Sequence, residues 1–93
     1  MNIFSTLQQY AGKWNVTDSR AFTQDEIDAV SSAVVVSSEY GNSVCFYMKA
    51  GGMTFIPLSN NSTKGIGETV KLEECKLLTL SKQGEADINR IEC

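Results

Sequence analysis

Few side chains in this sequence can do chemistry, and the types that are missing narrow the function first. The chain contains no histidine, which removes the commonest general base, the usual zinc ligand and the partner that a serine or cysteine nucleophile normally needs. Its three cysteines, Cys45, Cys75 and Cys93, are far apart and form no Cys-x-x-Cys pair, so they do not frame a structural zinc site. Odd in number, they read as reduced thiols and not as a disulfide framework. Cys45 falls within the apolar run Val44-Cys45-Phe46-Tyr47, where a thiol serves as packing. Asp25, Glu26 and Asp28 stand at the start of a helical pattern, where carboxylates normally complement the helix dipole instead of holding a metal. Glu73 and Glu74 are sequence neighbours on a polar segment, and such pairs point apart into water. Gly65-Ile66-Gly67 lacks the third glycine and following helix of a dinucleotide fingerprint, and no calcium-loop or Walker spacing occurs. The residue types therefore predict a non-enzymatic protein without metal or cofactor.

The elements that would position a binding site are clearest between Ala33 and Asn60. Ser43 to Ala50 and Met53 to Leu58 are rich in branched and aromatic residues and are joined by Gly51-Gly52, which predicts two strands of a hairpin. A two-residue turn would pair Tyr47 with Ile56, and a three-residue loop over Ala50 to Gly52 would set Tyr47 opposite Phe55; the two registers expose opposite faces. In either, both faces are largely apolar, so one faces a core and the other needs a cover. Pro57 cannot donate to a ladder and belongs on an edge or at a strand end.

Around this hairpin the chain reads as follows. Ile3, Phe4, Leu7, Tyr10, Ala11 and Trp14 recur at helical spacing and predict a short amphipathic helix, with Tyr10 and Trp14 as core aromatics. Asn15 to Phe22 reads as a polar connector. Thr23 with Glu26 forms a capping box that opens a second helix, whose face runs through Ile27 and Val30 towards Val34. Ala33 to Ser38 is a strand, and Glu39 to Asn42 a turn. Beyond the hairpin, Ser59 to Gly65 is a polar loop, Gly67 to Leu72 a short alternating segment, Lys76 to Ser81 a strand, Lys82 to Glu85 a turn and Ala86 to Ile91 a last strand.

Composition agrees with one small domain. Ninety-three residues, 42% hydrophobic and 20% charged, make a chain that buries roughly two-thirds of its unfolded surface. A net charge of -3 and a pI near 4.8 disfavour broad attraction to phosphates or anionic lipid. Neither a signal-peptide pattern nor an apolar run of spanning length is visible, which predicts a cytoplasmic protein without a membrane partner.

Lys49-Ala50-Gly51-Gly52-Met53-Thr54-Phe55-Ile56-Pro57-Leu58 resembles the glycine-turn hairpin of OB-fold nucleic-acid-binding domains, and Gly67 to Leu72 with Lys76 to Glu85 resembles the closing strands of that fold. The likeness spans residues 33–91. It differs from the family in the polar Ser59 to Gly65 loop, where another hydrophobic strand is usual, and in the charge of residues 33–93, which hold six Lys/Arg against seven Asp/Glu. The resemblance implies an α+β, mainly β fold: a small five-stranded barrel or sheet behind two short helices within residues 1–32. It also implies single-stranded nucleic-acid binding, with bases stacked on Tyr47 and Phe55 and the backbone followed by Lys49, Lys64 and Lys82. The rival expectation is a protein-interaction or assembly module that self-associates through the second apolar sheet face.

Overall fold

The computed structural model describes residues 13–39 and 41–93, so the amphipathic pattern from Ile3 to Ala11 lies outside the described residues. Six strands and one short helix follow in the order β1 (Asn15–Ala21), α1 (Gln24–Ala29), β2 (Val30–Ser38), β3 (Gly41–Met48), β4 (Met53–Pro57), β5 (Lys76–Ser81) and β6 (Ile88–Glu92), with a 3-10 turn at Leu72–Glu74 before β5. The strands form two antiparallel three-stranded sheets, ordered β1-β5-β6 and β2-β3-β4. The fold is mainly β as the sequence predicts, but it is not a closed barrel. The sheets meet at one seam, where Leu58 bridges Ile91 in parallel and the Ser59 amide donates to the Ile91 carbonyl. The segment after β4 stays irregular because it is polar from Ser59 to Lys64, and so it supplies no strand to complete a barrel.

Two expectations about the helices and strands need correction. Asn15 to Ala21 is a strand and not a connector: every residue in it is exposed, and it forms by laddering onto β5 from Asn15↔Ser81 to Ala21↔Lys76. A strand that buries no side chains leaves no hydrophobic signature. The helix opened by Thr23 lasts only six residues, because Val30 is already extended (φ -101°, ψ 127°) and the β-branched run beyond it enters β2. Val30 and Val34 thus belong to a strand. Only one short helix precedes β2 among the described residues.

The capping box at Thr23 is present. Its hydroxyl accepts from the Glu26 amide at 3.2 Å while the Glu26 carboxylate accepts from the Thr23 amide at 2.9 Å. Glu26 is also held by the Arg20 guanidinium through contacts of 2.8 and 3.1 Å, which ties the end of β1 to the helix start. The core gathers on one face of the β2-β3-β4 sheet: Ala33, Val35, Val44 and Phe46 pack with Leu58, Val70, Leu72, Cys75 and Ile91, and Phe22, Ile27 and Ile56 flank them. The free side of β2 is covered by the segment after the polar loop, since Val35 donates to Glu68, Gly67 donates back to Val35, and Val70 donates to Ala33.

Candidate functional site

The hairpin register decides which aromatics reach the surface. Gly51 donates to the Met48 carbonyl at 2.9 Å and Met48 to Gly52 at 3.1 Å, so the connection is the three-residue Lys49-Ala50-Gly51, one residue earlier than the predicted Ala50 to Gly52 loop and in place of the predicted two-residue Gly51-Gly52 turn. Gly51 (φ +103°) and Gly52 (φ +86°) take the left-handed conformations that close it. Tyr47 consequently pairs with Met53, and Cys45 with Phe55. Tyr47 and Phe55 still share a face, as diagonal neighbours.

That face points away from the core. Ala33, Val35, Val44 and Phe46 point inward, so by strand alternation Val34 and Val36 of β2, Cys45 and Tyr47 of β3, and Met53 and Phe55 of β4 point outward. An antiparallel sheet with one solvated face normally alternates apolar with polar residues; here the outward face carries these apolar side chains beside only Ser32 and Ser43 in the paired stretch. Tyr47 is 40% exposed, Met53 57% and Phe55 56%, whereas Cys45 at the centre is buried. A hydrogen bond with the Cys45 thiol two residues back raises the Tyr47 phenol pKa above its ordinary value. Ser31 sits at the break in pairing between Val30 and Ser32 and donates its hydroxyl to the Tyr47 carbonyl at 2.9 Å, bracing the main chain below the ring. The helix does not roof this face, since Phe22, Ile27 and Val30 pack on the core side.

The outer edge of β4 lies beside the same face. Leu58 donates to Asn42 and Met48 to Gly52, so the even-numbered positions carry the β3-β4 ladder and the main chain of Met53, Phe55 and Pro57 is directed outward. Pro57 ends the strand with its missing donor on that outer side, the edge position its chemistry demands. No described strand pairs with β4 between Met53 and Ile56.

The five residues predicted to bind a nucleic-acid strand are only partly brought together. Tyr47 and Phe55 share the outer face and Lys49 occupies the adjoining loop. Lys64 lies elsewhere, close enough to Cys75 and Cys93 for its charge to favour both thiolates. Lys82 follows β5, its ammonium 5.9 Å from the centre of the Trp14 ring. The reading from sequence missed Val34, Val36 and Met53 as members of the face; their alternation with Ala33, Val35 and Thr54 was the available signal. On the opposite side of this sheet a cleft of about 220 Å³ lies between the helix and the strands, lined by Phe22, Ala29, Val30, Phe46, Met48, Ile56 and Leu72 with Glu26 at its polar rim.

Among the described residues no three His, Cys, Asp or Glu side chains cluster as metal ligands, and no helix is long and apolar enough to cross a membrane. Compared with known proteins, the chain matches no protein-family model, no curated protein and no solved structure.

Proposed function

We propose that this chain is a non-enzymatic assembly module whose outer sheet face, built from Val34, Val36, Tyr47, Met53 and Phe55, docks on the same face of a second copy. The observation that carries this reading is an exposed apolar patch of Tyr47, Met53 and Phe55 on the outward face of an antiparallel sheet, continued by the half-buried Val34 and Val36 beside Ser32 and Ser43. A second copy fits because the outward positions of β2, β3 and β4 contain no charged residue. Two chains of net charge -3 can therefore meet there without opposed carboxylates, and an uncharged apolar face is complementary to itself, as a two-fold interface requires. The exposed β4 edge adds main-chain donors and acceptors at the rim. Sedimentation over a range of protein concentrations tests the reading: a dimer is expected for the wild type and a monomer for Phe55→Glu. A wild-type chain that stays monomeric at the highest concentration overturns it.

A second reading, single-stranded nucleic-acid binding, is favoured by the diagonal placement of Tyr47 and Phe55, which offers two ring surfaces beside Lys49. Lys64 and Lys82 supply no phosphate track to that surface, which is why it stands second. Titration of a fluorescent oligonucleotide at low salt separates the two. If bases stack on the face, Tyr47→Ala weakens binding by about 1 to 3 kcal/mol, and Lys49→Ala lowers the salt slope by about one unit.

A further inference from the structure

Cys75 and Cys93 are far apart in sequence but meet in space. The β5-β6 ladder starts at Lys76↔Glu92 and continues through Leu77↔Ile91, so extending it by one step sets Cys75 opposite Cys93. The main-chain bonds identify the kind of position. Cys93 donates its amide to the Ser62 hydroxyl at 3.1 Å, the Ile91 carbonyl accepts from Ser59, and Cys75 donates to Leu72. None of these groups points across the β5-β6 pair, so Cys75 and Cys93 occupy a non-hydrogen-bonded cross-strand site. Cα atoms at such a site lie about 4.5 Å apart, inside the roughly 4.4–6.8 Å range that a disulfide spans. Cys75 is part of the buried core and Cys93 packs against it half-exposed. The Cys75 thiol donates to the Lys71 carbonyl at 3.2 Å, and burial holds both thiols above their ordinary pKa, Cys75 well above it, against a smaller opposing pull from the Lys64 charge.

We infer that Cys75 and Cys93 form a redox modification site, a cross-strand thiol pair that a small-molecule disulfide such as glutathione disulfide converts to an internal disulfide. The half-exposed Cys93 thiolate attacks one sulfur of the glutathione disulfide, whose S–S bond breaks as one glutathione thiolate leaves with the electron pair. The Cys75 thiolate then attacks the Cys93 sulfur of the mixed disulfide and expels the second glutathione. Two protein thiols and one glutathione disulfide become one protein disulfide and two glutathione thiols, with the thiol protons passing to the leaving groups. The bond would fix the end of β6 to the 3-10 turn beside Ile91, at the seam between the sheets. Cys45 takes no part, being on the outer face under Tyr47.

Equilibrating the folded 93-residue chain with excess glutathione disulfide, then titrating thiols after denaturation and mapping cross-linked peptides, tests this. The expected result is a fall from three free thiols to one, a mass loss of about 2 Da for the two hydrogens removed, a single Cys75–Cys93 peptide, and a stable glutathione adduct on Cys93 in the Cys75→Ser variant. Three free thiols after equilibration, a mixed disulfide that persists on wild-type Cys93, or a link through Cys45 each overturn the proposal.

Discussion

Tyr47 and Phe55 are large side chains that the fold leaves in water, and their exposure makes a specific claim about energetics. Truncating a buried aromatic costs about 3–5 kcal/mol, but Phe55 is 56% exposed, so less than half of that burial is at stake. Phe55→Ser is therefore expected to change the unfolding free energy of the monomer by less than about 1 kcal/mol in denaturant titration at low protein concentration, while abolishing concentration-dependent association. Glu26 sets a second expectation at this scale. The Arg20 guanidinium, then the Thr23 amide, hold its carboxyl down from 4.5 to about 2. A depressed carboxylate contributes stability above its unfolded pKa and loses it as pH falls through the folded one. The contribution should thus be whole above about pH 5 and fade between 4.5 and about 2, and Glu26→Gln should flatten the pH–stability curve in that window. Both partners are more than a third exposed, so the slope is shallow and weakens with salt.

The short elements depend on local devices, and each device can be removed singly. A six-residue helix is too short to persist by propensity; it rests on the Thr23–Glu26 box and on Ile27 packing against the core. Thr23→Ala is expected to cost about 1 kcal/mol, read as a lower melting temperature with the β signal retained. The hairpin depends on Gly51, whose φ of +103° an L side chain adopts at a cost of about 1–2 kcal/mol. Nothing lies within 4 Å of a Cβ added there, so Gly51→Ala reports backbone strain alone. It should destabilise by about that amount without changing the face that carries Tyr47.

At the scale of the molecule, the two sheets are held by few groups, and Ile91 is the central one. It is wholly buried, pairs with Leu77 within its own sheet and bridges to Leu58 of the other. Ile91→Ala is expected to cost about 2–5 kcal/mol, a large share of the margin of a domain this small, and hydrogen exchange should show the seam from Leu58 to Ser62 losing protection first.

The sequence alone determined whatever follows from local chemistry: the capping box at Thr23, the two apolar hairpin strands, the edge placement of Pro57, the turn at Lys82 to Glu85 and the mainly β class. Each is set by residues within a few positions of one another, through a cap, a preferred dihedral or a missing donor. Tertiary structure decided the rest. Asn15 to Ala21 became a strand only because β5 offered it a ladder; the helical pattern past Ala29 yielded to a β-branched run with β3 to pair against; and the register was set with both Gly51 and Gly52 in positive-φ conformations, where either predicted turn was open to the sequence. Whether Tyr47 and Phe55 face water, and whether Lys64 stands beside them or beside Cys75 and Cys93, depends on contacts between segments distant in sequence, where no local spacing carries the signal.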